Sequence, residues 1–573
     1  MLDSRNMNRN KRTRAVRCSL STAMLAAAVL IGARIPVSAL TAAHPGLGAR
    51  PKLVVLIVVD QMRADYLERY ATILRDGFKR LTTEGEWFTN AAYPYAKTVT
   101  CAGHSTVSTG VFPSTHGMIN NTWWDRAAGK TVTCTGDAKT SLIVYGAAGG
   151  AAGTKSGESD WQMKAPSFAE QLRAQSTGSR VVALSLKARA AISMAGHSAD
   201  SVTWLNGENF ATSTAYGDSP RPEIMAYAKS HPIKSEFGKI LRVSHDGGQV
   251  SVRPFSLPGQ PESTADSIAK QLGTGVVRSD DEWEASAFSD AYLAKLAELE
   301  IEKLKLGHAE GTDFLAISFS ALDIVGHAKG PDSSEVRTIL FYLDATLGEL
   351  FDDLDHRVGK GNYVVAITGD HGVARVPEIA AKDGVDAGRA DVGELTAGIT
   401  KALAPFGGGD KPVAAFADGD IYFAAGIWDK ISADPKAMDA VFAAIRGVAG
   451  VAEVFRVDQL GELAEKNPLA RDALLSEFPG RGGDLFVIPK PNWFFDRRGK
   501  SGEWGGGTTH GTPYAYDQRV PIILMGGGIE AGKNADAVTP ADIAPTFAEL
   551  TGITIAHTDG HALPIVAASA KSR

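Results

Sequence analysis

Five short runs of the sequence are almost wholly aliphatic or aromatic: Leu53–Val59, Val181–Leu186, Phe314–Phe319, Tyr363–Thr368 and Val520–Leu524. A strand with one wet face alternates apolar and polar residues. A run without that alternation has to bury both faces. Strands of this kind belong to sheets covered by helices on either side. The intervening segments supply them, because Glu282–Leu306, Glu335–Leu354 and Pro540–Leu550 carry helical periodicity. The expected fold is α/β, a doubly wound, mostly parallel sheet.

Two stretches break this rhythm. Residues 206–281, rich in Ser, Pro and Gly, read as an irregular insertion. Residues 379–504 carry their own strand–helix–strand pattern (Val413–Phe423, Lys436–Arg446, Glu453–Val457) and read as an inserted cap. Segments inserted into such a sheet usually lie over the carboxyl ends of its strands, where ligands bind. The catalytic domain is expected to span residues 40–565, with 566–573 as a tail.

The amino terminus is of another kind. Arg5, Arg9, Lys11, Arg12, Arg14 and Arg17 precede an apolar run from Leu20 to Ile31, and Val37-Ser38-Ala39 follows. This is the layout of a cleaved secretory signal covering residues 1–39. The apolar run is shorter than the ~20 residues of a spanning helix, and no later segment reaches that length. The expected protein is periplasmic or secreted, with no stable membrane anchor. The net charge of −6, with no basic block beyond the signal, excludes a protein that coats nucleic acid. Composition that is 44% hydrophobic and 22% charged excludes a disordered chain. Cys18 leaves with the signal. Cys101 and Cys134 remain, compatible either with one disulfide or with two buried thiols.

Ligands of open α/β sheets bind outside the carboxyl ends of the strands. The first run ends in Asp60, the third leads into Asp323 and His327, and the fourth into Asp370 and His371. An Asp after a strand is ordinarily a turn former or helix cap. Five such residues gathered at neighbouring strand ends form a set of oxygen and nitrogen ligands suited to zinc. Asp323 and His327, one helical turn apart, share a face. His510, in a glycine-rich loop, offers a sixth ligand, and two metal ions would fit the set.

The segment Lys97-Thr98-Val99-Thr100-Cys101-Ala102-Gly103-His104 leads into a helix-compatible stretch. A Thr there is usually an N-cap, but free N–H groups and the helix dipole also make that place an anion site. Lys187 and Arg189 end the second run. Read as extended chain, they point to one side and offer cations to a phosphate.

The order of Asp60, the Thr-Val-Thr-Cys-Ala-Gly-His segment, Asn121, Lys187-Ala188-Arg189, Asp323…His327, Asp370-His371 and His510 resembles the alkaline phosphatase superfamily. It is most similar to secreted bacterial enzymes with a Thr nucleophile, and more distantly to nucleotide pyrophosphatase/phosphodiesterases. The resemblance implies Thr100 as nucleophile and metal ligand, with Thr98 as its rival. It implies two zinc ions, one on Asp60, Asp370 and His371, the other on Asp323, His327 and His510. Asn121, Lys187 and Arg189 would bind phosphate oxygens, and His104 would serve packing.

The expected activity is hydrolysis of small-molecule phosphate monoesters through a phosphothreonine intermediate. A phosphodiesterase on the same site is the alternative. A sulfatase is disfavoured because Cys101-Ala102-Gly103 lacks the Pro and Arg of that setting. A phosphoethanolamine transferase would need several spanning helices. A secreted phosphate-binding protein without turnover would leave the whole ligand set idle.

Overall fold

A computed structural model describes residues 50–145, 156–256 and 276–565. The expected signal segment and the tail lie outside these residues. The elements that build the site are, in chain order, β1 (Leu53–Val59), α1 (Thr100–Thr109), β2 (Val181–Ser185), α2 (Ala188–Ala195), β3 (Ser201–Asn206), β4 (Asp313–Phe319), α3 (Ala321–Lys329), β5 (Tyr363–Thr368) and β6 (Ile522–Gly526).

These strands belong to one 11-stranded sheet. Its centre runs β5-β1-β4-β2-β3, every neighbour parallel. All seven residues of β1 are buried. Leu53, Val55, Ile57 and Val59 feed the core on one face of the sheet, while Val54, Leu56 and Val58 feed the core on the other. This explains the absence of polar alternation. Exposing either face would forfeit about 1.5–3 kcal/mol per large aliphatic side chain.

Towards its edges the sheet turns antiparallel. β6, read from sequence as one more run of the parallel set, pairs antiparallel with β5 and with Glu86–Ala91. Asn209–Ser213 and Gly136–Val144 extend the far edge in antiparallel fashion. An apolar run shows that a strand is buried on both faces, and nothing in it encodes direction.

Residues 206–281 hold regular structure where they are described. Besides Asn209–Ser213 there are a helix, Pro222–Ser230, and a hairpin, Ile240–Asp246 with Gln249–Phe255. The predicted helix Glu282–Leu306 is two helices, Asp280–Glu284 and Ala287–Leu304. The residues read as a cap build a four-stranded antiparallel sheet with its own apolar core. The segment Val413–Phe423 is a hairpin in that sheet, Val413–Ala417 turning into Asp420–Phe423.

Candidate metal centre

The register of the central strands sets their ends side by side. Val59 faces Phe319, Val58 faces Thr368, and the Asp60 amide donates to the Phe319 carbonyl at 2.9 Å. Asp60, the first turns of α3 and the Gly369-Asp370-His371 turn therefore emerge at one edge. Two trios result, Asp60–Asp370–His371 and Asp323–His327–His510, and within each the candidate ligand atoms lie within 4.8 Å of one another.

In the first trio all three side chains are wholly buried. His371 Nε2 stands 3.4 Å from Asp60 Oδ1 and 3.2 Å from Asp370 Oδ2. Its Nδ1 lies 2.9 Å from the Gly372 carbonyl, so the proton belongs on Nδ1 and the Nε2 lone pair faces the carboxylates. Asp60 Oδ1, Asp370 Oδ2 and His371 Nε2 have no hydrogen-bond partner. Burying such atoms unpaired is costly. Three of them aimed at one point are what a cation would satisfy.

The second trio is more open. His327 Nε2 lies 3.2 Å and His510 Nε2 3.9 Å from Asp323 Oδ1. Their Nδ1 atoms meet the carbonyls of Thr508 and Thr98 at 2.8 and 2.7 Å, which again leaves Nε2 as the ligand atom. The rings of His371 and His510 stack with centroids 3.5 Å apart, so the two trios share a wall.

Charge and burial pull against each other here. Burial, then the neighbouring Asp323 and Asp370, push the Asp60 carboxyl well above its ordinary range. Burial acts the same way on Asp323 and Asp370 but is outweighed: by Lys187 and His327 for Asp323, and by His371 and His104 for Asp370. Both stay low. Burial holds His371 and His510 below the usual imidazole range, so each is a neutral ligand. Lys187 Nζ spans the trios, 2.5 Å from both Asp60 Oδ2 and Asp323 Oδ2. Burial works against its charge, but these carboxylates outweigh it and keep the ammonium protonated.

Thr100 is the first residue of α1, almost wholly buried. It shares a helix face with His104, whose Nδ1 lies 3.2 Å from Asp370 Oδ2. A Cβ on Gly103 would sit 2.2 Å from the Asp370 carbonyl, so only glycine lets α1 press against this turn. Thr98 is otherwise engaged: its Oγ1 donates to the Thr512 carbonyl at 3.2 Å, and its own carbonyl orients His510. Asn121 Oδ1 accepts the Cys101 amide at 3.0 Å, which leaves its NH2 end free beside the start of α1. Cys101 and Cys134 form a disulfide.

Lys187 and Arg189 differ from the extended pair expected. β2 stops at Ser185, whose Oγ accepts the Lys187 amide at 3.1 Å. The Lys187 carbonyl then takes the first bonds of α2. Lys187 is the N-cap, and Arg189 lies in the first helical turn with its Nε buried and without a hydrogen-bond partner.

Three residues contribute in ways the sequence reading does not assign. Gln61, at φ 67°, donates from its amide to Asp370 Oδ1 at 3.0 Å and from Nε2 to Asp323 Oδ1 at 2.6 Å, bridging the trios. A Cβ on Gly326 would lie 1.7 Å from Gln61 Oε1, which explains the glycine between Asp323 and His327. His104, expected only to pack, bonds to Ser318 Oγ and the Thr100 carbonyl as well as meeting Asp370. Lys97, wholly buried, pairs with Asp420 at 2.5 Å and with Glu477, tying the segment before Thr100 to the antiparallel sheet.

Known proteins bear on this centre. Residues 54–513 match the family described as type I phosphodiesterase / nucleotide pyrophosphatase. The chain is 30% identical to alkaline phosphatase PafA of Elizabethkingia meningoseptica, over 91% of this chain and 96% of that protein. It is 30% identical to alkaline phosphatase PhoK of a Sphingomonas species, over 90% and 91%. A crystal structure of wild-type PafA superposes with a TM-score of 0.75 at 27% identity, covering 90% of this chain and 99% of that one. Fold, sequence and the chemistry at the strand ends agree, and the chain belongs to the type I phosphodiesterase / nucleotide pyrophosphatase family.

Proposed function

We propose that this phosphate-ester hydrolase is an alkaline phosphatase acting on monoesters through a covalent phosphothreonine on Thr100. The observation that carries the reading is the pair of ligand trios at adjoining strand ends, three of whose atoms are buried without a hydrogen bond. Three Asp and three His suit zinc better than an oxygen-only magnesium site. Asp60, Asp370, His371 and Thr100 would hold one ion, and Asp323, His327 and His510 the other. When bound, the two ions supply positive charge that acidifies a hydroxyl or a water and steadies a departing oxygen.

The chain's own residues do the rest. Thr100 Oγ gives its proton to solvent and bonds to phosphorus as the ester P–O bond breaks, and the departing alkoxide takes a proton from solvent to leave as the alcohol. Water then attacks the phosphothreonine, phosphate departs and Thr100 Oγ regains a proton. Asn121 offers its NH2 to one phosphate oxygen. Arg189 and Lys187 answer the remaining negative charge, and a monoester carries more of it than a diester. The family description favours a second reading, a phosphodiesterase on the same residues. We further propose that residues 1–39 are a cleaved signal and that the mature enzyme is periplasmic or secreted. Among the described residues no helix is long and apolar enough to cross a membrane.

The test compares rates on an aryl monoester, the matched diester and a sulfate ester, with metal analysis of the same sample. Monoester turnover should dominate, with zinc near two equivalents. Faster diester turnover would make the enzyme a phosphodiesterase.

A further inference from the structure

The disulfide touches the site in a way that the two cysteines' separation in sequence does not suggest. Cys101 follows Thr100 directly and lies inside α1. Cys134 ends the hairpin formed by Thr122–Asp125 and Lys130–Thr133. Asn121 is the residue just before that hairpin. Its side-chain Oδ1 accepts the Cys101 amide at 3.0 Å, and its main-chain carbonyl accepts the Cys134 amide at 3.0 Å. The two residues that grip Asn121, one on each oxygen, are thus the two residues joined through sulfur.

We propose that the Cys101–Cys134 disulfide is a positioning element for Asn121, holding its amide at a fixed place relative to Thr100. Oδ1 is committed to Cys101, so the amide can turn only its NH2 toward a phosphate. Thr122 pairs with Thr133 in the hairpin, so a shift of Cys134 moves Asn121 with it. The sulfurs are buried in a small apolar cluster with Met118, Ile119, Trp123 and Met163. The covalent bond adds a fixed link between the hairpin and α1 to this packing and to the two hydrogen bonds on Asn121. An oxidising compartment would then be needed for the geometry of the site as well as for stability.

This inference rests on Asn121 binding phosphate, and the experiment separates the two claims. Metal-loaded wild type, Cys134→Ser and the volume-restoring pair Cys101→Ala/Cys134→Val are each prepared with and without Asn121→Ala. kcat/KM for an aryl monoester, inhibition by inorganic phosphate and zinc content are measured well below each variant's Tm.

Loss of the disulfide should lower kcat/KM about tenfold, as for one charge-assisted hydrogen bond, and weaken phosphate inhibition in parallel with zinc unchanged. In the Asn121→Ala background the same change should cost less than about twofold, because the group it positions is already gone. An equal loss in both backgrounds, or none in either, overturns the positioning role and leaves the phosphatase reading standing. Failure of both cysteine variants to fold would make the bond a folding requirement and overturn it too. An Asn121→Ala variant with wild-type kinetics would overturn both claims together.

Discussion

His371 and His197 each stand between two carboxylates, yet the two clusters solve opposite problems. His371 Nε2 lies 3.4 and 3.2 Å from Asp60 and Asp370, at the ends of β1 and β5, wholly buried. His197 Nδ1 lies 2.8 Å from both Asp160 and Glu170, with 46% of its side chain exposed. It follows Gly196, which closes α2, and Glu170 belongs to the capping box opening Phe168–Gln175. Hydrogen bonds from His197 to Asp160 and Glu170 raise its pKa to about 10, whereas burial lowers His371. In the wet cluster a proton on the half-exposed His197 offsets one of the two carboxylate charges. In the dry one the imidazole stays neutral, and Asp60 Oδ1, Asp370 Oδ2 and His371 Nε2 lie buried without a hydrogen bond, an arrangement that a cation would satisfy. A histidine between two carboxylates thus makes a salt bridge in one place and a candidate metal site at the strand ends.

The largest effect that can test this contrast lies at Thr100. Thr100→Ala should cost about 10⁴-fold or more in kcat while zinc content stays near two equivalents. Thr98→Ala should be far milder. The reverse order would shift the nucleophile by two residues and break the account of α1.

Next in size comes the metal. Chelation should abolish activity and zinc should restore it. Asp60→Ala should cost more than His510→Ala, because His510 comes from a loop in the more open trio while Asp60 is fixed at a strand end. His197→Gln should keep activity within about threefold, since an exposed pair away from the reacting atoms contributes little. Measuring kcat and bound zinc for these three variants decides it. Zinc loss in His197→Gln would erase the distinction between the clusters.

A smaller effect concerns Lys187 and Arg189. Lys187→Ala/Arg189→Ala removes positive charge next to both trios, so every substrate should suffer. A monoester dianion should suffer most, by about tenfold to a hundredfold per charge-assisted contact. The readout is kcat/KM for matched aryl mono- and diesters. Equal losses would give the pair a general role in balancing the carboxylates that Lys187 spans.

How much of this was legible in the sequence follows from how local each feature is. Asp60 and Asp370-His371 stand directly after unbroken apolar runs, and Asp323 and His327 are one helical turn apart, so strand ends and helix spacing expose them. Gln61 and His104 act through partners 262 and 266 positions away, Asp323 and Asp370; the motif ending in His104 marks the residue without that contact, and nothing local marks Gln61. The antiparallel direction of β6 and the start of α2 at Lys187 are fixed by neighbouring strands and by one Ser185 hydrogen bond. The bond between Cys101 and Cys134 needed the fold that brings α1 to the hairpin.

The smallest predicted effect is on stability, and it probes the wet cluster alone. The carboxylates of Asp160 and Glu170 raise His197 to about 10 in the folded protein, from the ordinary imidazole value of about 6.5. A raised folded value means the native state holds a proton that the unfolded chain releases. The stabilisation is therefore fully present below about pH 6.5, declines between there and about 10, and is gone above. Tyr216 also faces Asp160 and Glu170, but burial and their charge raise it well above its ordinary range, so it stays neutral across that window. With His197 nearly half exposed, solvent screening keeps the effect to a few degrees in Tm, of the order of an exposed ion pair. Wild-type Tm should fall more between pH 7 and pH 10 than that of His197→Gln, the two curves converging at the alkaline end. Parallel curves would mean that the proton on His197 does nothing for the fold, and that the resemblance between the two clusters is one of composition only.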